Sequence, residues 1–139
     1  MKIPMAFVAD EANVSQEGKL NVLGIFDRIV TAELPLIHPR MVFCFRVVAE
    51  PGDAGRALPV QVRLVDEAGE PLFEAAGDMV TPILPMGDVF SANQVFTLLG
   101  VQFPRPGTYR FTVTIGDAAP HETPLHVSMA NPTPAGELN

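Results

Sequence analysis

Hydrophobic and polar residues alternate with a period of two along most of this chain. In residues 109–115, four apolar side chains alternate strictly with one arginine and two threonines, and residues 60–64 alternate in the same way. Such alternation is typical of a β-strand with one face in a core and the other in water. No window shows helical periodicity beyond one or two turns. The pattern therefore predicts an all-β fold.

Turn-forming residues divide the chain into about eight predicted strands. Residues 15–19 and 66–70 have the composition of hairpin turns, in which a glycine can adopt positive φ. Many short strands with this spacing predict an antiparallel two-sheet sandwich, immunoglobulin-like or related. Residues 1–130 are expected to form one domain and residues 131–139 a flexible C-terminal tail. The predicted strands cover residues 3–10, 20–30, 41–49, 60–64, 72–73, 89–103, 108–115 and 125–129.

The chain is acidic, with sixteen acidic residues against nine basic residues and a formal net charge of −7. The basic residues are scattered singly, so neither nucleic acid nor an anionic membrane is an expected partner. Cys44 is the single cysteine, which excludes an intramolecular disulfide. The apolar run at residues 3–9 is too short for a signal-peptide core, and no run approaches the ~20 residues of a membrane span. We therefore expect a cytoplasmic protein.

No group of residues has the pattern of a catalytic or cofactor site. Cys44 lies between two phenylalanines in an apolar strand, where a buried thiol behaves as a small hydrophobic group. His121 and His126 would face opposite ways on a strand, and His38 precedes a strand, so the histidines lack the spacing of metal ligands. There is neither a nucleophile elbow nor a glycine-rich phosphate loop. We predict that the protein is not an enzyme and has no catalytic residue, cofactor or metal ligand.

Acidic residues are concentrated in or near the predicted turns. Turns favour aspartate for conformational reasons, but carboxylates from the loops at one end of a sandwich can also assemble a calcium site. A ligand-binding domain for calcium or a sugar is therefore an alternative function, and a hydrolase with paired carboxylates is a weaker one. The residues concerned are Asp10, Glu11, Asp27, Asp66, Glu67, Asp78, Asp88 and Asp117.

Two stretches resemble known proteins. Residues 15–27, with the sequence SQEGKLNVLGIFD, follow a short strand that ends at Asp10, and a Pro51-Gly52 pair follows the third predicted strand. Together they resemble a family of small bacterial proteins catalogued only as a domain of unknown function, and this resemblance implies no activity and no site residues. The Pro-Gly-Thr-Tyr start at residues 106–109 resembles immunoglobulin-like sandwiches, which is a likeness of fold alone.

Three predicted strands are apolar on both faces, although each sheet of a sandwich needs only one apolar face. They are residues 20–30, 41–48 and 95–103, and the connection at residues 79–86 is also unusually apolar. Large exposed apolar patches are rare on soluble monomers, so something must cover this surface. Three explanations are open: the connection folds back as a lid, the strands are bulged so that their faces switch, or the patch is an interface.

The interface explanation predicts a non-enzymatic binding or assembly module. Its simplest form is a homo-oligomer that associates through an apolar sheet face or edge, and a different protein partner is the other form. The candidate interface residues are Met79, Val80, Ile83, Leu84, Met86, Phe45 and Leu99.

Overall fold

A computed structural model describes residues 1–130 and contains nine strands in two sheets. The order is β2-β1-β4-β7 in the four-stranded sheet and β3-β9-β8-β5-β6 in the five-stranded sheet. The all-β prediction is confirmed, and the described part of the chain has no helix long and apolar enough to cross a membrane. The predicted tail at residues 131–139 lies outside the described residues. The strands are β1 (Lys2–Val14), β2 (Leu20–Phe26), β3 (Arg28–Thr31), β4 (Leu36–Val48), β5 (Ala57–Val65), β6 (Pro71–Val80), β7 (Ser91–Phe103), β8 (Gly107–Ile115) and β9 (His121–Met129), with a 3-10 turn at Pro51–Asp53.

The two sheets pack face to face around an aromatic core. The ring of Phe43 on β4 stacks on the ring of Phe111 on β8, with centroids 4.3 Å apart. Phe103 on β7 meets Tyr109 on β8 edge to face at 5.0 Å, and the Tyr109 hydroxyl donates to the Arg105 carbonyl at 2.7 Å. All four rings are buried. Because these contacts join β4 and β7 of one sheet to β8 of the other, the predicted two-sheet sandwich is confirmed.

The predicted strand at residues 20–30 consists of two strands in different sheets. β2 ends at Phe26 in the four-stranded sheet, and β3 begins at Arg28 in the five-stranded sheet. β3 pairs with β9 in parallel, so the sandwich is not wholly antiparallel. Phe26 and Ile29 both pack against the common core, each from its own sheet. Both even- and odd-numbered residues of this segment are apolar because its two halves bury opposite faces.

β7 changes the face that it presents to the core near Gly100. Leu98 and Val101 are both buried although they are three residues apart, whereas Leu99 between them is 72% exposed. Gly100 has a φ of +64°, a conformation that L-residues rarely adopt, and such a kink lets residues of both parities reach one core. A switch of faces therefore accounts for part of the apolar pattern at residues 95–103.

The far end of the β1–β2 hairpin, residues 11–23, covers the outer face of the four-stranded sheet; we name it the hairpin flap. Val42 and Cys44 point away from the sandwich core because their neighbours on β4 point into it, yet both are fully buried. Leu20 and Val22 of the hairpin flap pack against them in a second, smaller cluster. Burial of these side chains removes the second apolar face of β4 from water.

The tip of the hairpin flap reaches β7 on the far side of β4. The side-chain amide of Asn93 on β7 donates a hydrogen bond to the Gly18 carbonyl at the tip, with a length of 2.9 Å. The bend falls at Gly24, which has a φ of +73° and where a Cβ would overlap the carboxylate of Asp10. This face is thus covered by a hairpin, and not by residues 79–86 as one of the three open explanations has it.

Candidate binding site between the free strand edges

The predicted interface residues gather along one side of the sandwich, where each sheet has a free edge strand. Among residues 1–130, β6 pairs only with β5 and β7 pairs only with β4. Residues 81–90 connect β6 to β7 and so pass from one sheet to the other. Each of these strands leaves one row of backbone N–H and C=O groups without a neighbouring strand in the described chain. This side is therefore where the fold can accept a further strand.

A groove of about 410 Å³ lies between β6 and β7, and we name it the central groove. Residues 75–80 of β6 form one wall, and Ala92 and Phe96 of β7 form part of the other. Phe45 and Val62, one from each sheet, lie at its floor. The central groove is therefore an opening from the surface toward the aromatic core.

Phe45 is the one predicted interface residue whose side chain does not reach the surface. Its side chain is fully buried, and its ring stacks on that of Phe96 with centroids 6.0 Å apart. Both parities of β4 are apolar, and the pattern alone does not show which face the hairpin flap covers and which face lies between the sheets. Met79, by contrast, is half-buried against the core, and Val80 beside it is 66% exposed.

The space between the two strands continues beyond the central groove. A lower groove of about 450 Å³ lies between Leu72 and Phe73 of β6 and residues 97–102 of β7. Leu99 lies on its rim and is among the most exposed large apolar residues of the described chain. The central and lower grooves follow each other along the same two strands, so together they run along most of this side.

An end pocket of about 370 Å³ lies between residues 81–90 and the 3-10 turn. Leu84 and Met86 line it, and Met86 is fully exposed. Ile83 lies over the chain just after that turn and is 81% exposed. Phe90 lines both the end pocket and the central groove, which makes the apolar surface continuous. Six of the seven predicted interface residues thus reach the surface of this one side, wholly or in part.

Two polar residues in this region were not predicted from the sequence. Gln94 occupies a core-facing position opposite Phe45 on β4, is half-buried, and lines the central groove. The hydroxyl of Thr81 is buried without a hydrogen-bond partner in the described chain and lines the end pocket. Amide and hydroxyl groups can orient a bound main chain or side chain. The sequence does contain a signal for Gln94, because it is a polar residue at a position of the strand whose neighbours two residues away face the core.

The side is uncharged along β7 and acidic along β6. None of the thirteen residues of β7 is charged. β6 carries Glu74 and Asp78, and Glu74 pairs with Arg63 at 3.0 Å. Asp88 adds a further carboxylate at the end pocket. The electrostatics therefore favour a neutral or basic partner over an acidic one.

The described residues do not bring a catalytic set together. Burial raises the pKa of the Cys44 thiol to about 11, which disfavours the nucleophilic thiolate. His121 and His126 lie on opposite faces of β9, and the Nδ1 atom of His126 is 3.0 Å from the hydroxyl of Thr108. No three histidine, cysteine, aspartate or glutamate side chains in residues 1–130 lie close enough to share a metal ion.

Asp66, one of the predicted turn carboxylates, and Asp53 in the 3-10 turn have structural partners instead. The Asp66 carboxylate accepts hydrogen bonds from the backbone N–H groups of Ala68 and Glu70 and from Arg105, all at 2.8–2.9 Å. It thereby closes the β5–β6 turn. Asp53 accepts a hydrogen bond from the backbone N–H of Glu50 at 2.8 Å, which lowers the pKa of its carboxyl.

These features define a small all-β sandwich whose two sheets are both left open on one apolar side. The chain belongs to DUF6941, a family of unknown function, whose model matches residues 4–128. The resemblance to a family of unknown function noted for residues 15–27 is thereby confirmed. No curated protein matches the chain.

Proposed function

We propose that this protein is a non-enzymatic binding or assembly module that binds an extended polypeptide segment along the β6–β7 side. The observation that supports this is the continuous apolar surface, formed by the central groove, the lower groove and the end pocket, between two free strand edges. A strand added to a free edge gains main-chain hydrogen bonds, and its alternate side chains can enter pockets. Both requirements are met on this side of the sandwich.

The lining indicates what kind of segment fits. Alternate apolar side chains would replace water along Ala75, Met79 and Phe96, and the amide of Gln94 is placed to hydrogen-bond a polar group among them. The carboxylates of Asp78 and Asp88 disfavour an acidic segment. A neutral or basic β-strand is therefore the proposed ligand class.

Site-specific photo-crosslinking in cells that naturally make the protein tests this function. A photoreactive phenylalanine analogue is placed at Ala75 in the central groove or at Leu99 on the lower groove. The matched control is the same residue at Gln61, which is exposed on the neighbouring strand β5. We expect discrete crosslinks to a polypeptide from the two groove positions and none from Gln61. Equal labelling at all three positions, or none at any, would count against a binding role for this side.

The alternative functions have no comparable support. Among the described residues, no three histidine, cysteine or acidic side chains come together, and the carboxylates of Asp53 and Asp66 accept hydrogen bonds from backbone N–H groups. Calcium binding, sugar binding and hydrolysis are therefore less well supported than binding of a polypeptide segment. A bacterial source, a cytoplasmic location and an immunoglobulin-like relationship stay predictions.

A further inference from the structure

We propose that the segment bound on this side is β7 of a second copy of the chain, paired antiparallel with β7 across a two-fold axis near Thr97. This inference rests on the proposed function, because it names the partner of the same free edge. Pairing of this kind would join two four-stranded sheets into one continuous eight-stranded sheet. It would also cover an edge that is otherwise open to uncontrolled strand addition.

A comparison of the four edge strands singles out β7. β2 has seven residues and is interrupted by the bend at Gly24, and β3 has four residues, one of them Arg28. β6 has ten residues and carries two carboxylates, Glu74 and Asp78. β7 has thirteen residues and no charge, and its residues 91–99 precede the kink at Gly100. Edge strands usually carry charges that discourage pairing with another chain, so the long uncharged edge is the one suited to pairing.

The overall charge strengthens the choice of β7 for self-association. Each copy has a net charge of −7, so two copies repel each other at long range. Like charges directly opposite each other on paired strands are destabilising. Two antiparallel β6 strands centred on Ala76 would place Glu74 opposite Asp78 of the second copy, whereas two β7 strands bring together only neutral side chains. The uncharged edge is thus where two acidic copies can meet without a direct charge clash.

The centre of β7 is chemically symmetric about Thr97. In an antiparallel pair centred there, Val95 lies opposite Leu99 of the second copy, and Phe96 lies opposite Leu98. Residues directly opposite each other lie on the same face of a sheet and have Cβ atoms about 4.5–5.5 Å apart. Apolar residues therefore meet on both faces. In particular, the 72% exposed side chain of Leu99 would gain an apolar neighbour.

Light scattering after size-exclusion chromatography, over a wide range of concentration, tests the pairing. Wild-type protein is expected to approach twice the chain mass of 15.0 kDa. Leu99→Arg places a charge at the centre of the proposed interface and is expected to weaken association by at least about tenfold. Leu23→Arg is the matched control, because Leu23 is 71% exposed on β2 and lies outside the interface. This variant is expected to associate like the wild type.

A cysteine crosslink tests the register and does not depend on a disruptive variant. Thr97→Cys is expected to form an oxidised dimer, because the two residues at the axis face each other. Gln61→Cys, exposed on β5, is expected to stay uncrosslinked at the same concentration. Cys44 does not interfere, because it is buried under the hairpin flap.

The outcomes separate this inference from the proposed function. A wild-type chain that stays monomeric at its highest soluble concentration, but crosslinks to another protein from Leu99 in cells, overturns self-pairing and keeps the binding role. A monomer without crosslinks in cells overturns both. A dimer that is insensitive to Leu99→Arg and does not crosslink through Thr97→Cys associates through another surface and overturns the pairing.

Discussion

Replacement of Leu20 by alanine should open the hairpin flap and expose the thiol beneath it. Leu20 is half-buried in the small cluster that covers Cys44. The substitution removes about three carbon atoms, each worth about 0.8 kcal/mol when fully buried, so half-burial gives a loss of about 1 kcal/mol. A loss of that size raises the population of the open flap about fivefold.

The reactivity of Cys44 toward a thiol reagent near neutral pH, without denaturant, reports this opening. With the flap closed, the thiol is covered and its pKa of about 11 keeps it protonated, so labelling requires an open form. The labelling rate of Leu20→Ala should exceed that of the wild type about fivefold. Leu23→Ala, on the exposed side of the same hairpin, should label at the wild-type rate. Rapid labelling of the wild type, or equal effects of the two variants, would refute the assignment of residues 11–23 as the cover.

Three further predictions concern stability. Phe111→Ala should lower the free energy of unfolding, measured in urea, by about 3–5 kcal/mol because it leaves a cavity in the aromatic core. Thr112→Ala, on the opposite face of β8, should lower it by less than about 1 kcal/mol. Asp66→Ala should cost about 1–3 kcal/mol because it removes the hydrogen bonds from Ala68, Glu70 and Arg105 that close the β5–β6 turn, and Asp117→Ala at an exposed turn should have little effect. Burial raises the pKa of Cys44, so its contribution to stability is fully present below the ordinary thiol pKa of about 8.5 and is lost as the pH rises toward 11. The melting temperature of Cys44→Ala should therefore fall less steeply between these pH values than that of the wild type. Parallel slopes for the two proteins would contradict the burial of the thiol as the cause.

The parts of the fold that depend on local pattern could be predicted from the sequence. Residues 109–115 alternate strictly, and they form β8 with the expected apolar face in the core. The turns at residues 15–19 and 66–70 also lie where glycine and acidic residues place them. These features require only neighbours in sequence, and a period of two describes them fully.

The parts that depend on tertiary arrangement could not be predicted. A strand that leaves one sheet at Phe26 and enters the other at Arg28 has the same alternation as a continuous strand. The sequence pattern shows that both faces of β4 are apolar, but it does not show that the hairpin flap covers Val42 and Cys44. For the candidate site, the sequence predicts an apolar connection at residues 79–86 and an apolar face or edge as the interface, but it does not show which strands lie at the edges, because strand order arises from long-range pairing.

The parallel pairing of β3 with β9 has a consequence for how the chain is made. Arg28 lies beside His126, so nearly the whole domain must be synthesised before these two strands can meet. β9 also lies between β3 and β8 in the sheet, so a nascent chain that lacks it has a gap within the five-stranded sheet. Contacts between residues so distant in sequence slow folding. Almost the entire domain must therefore leave the ribosome before its second sheet can close, and until then the edges of β3 and β8 lack the strand that joins them.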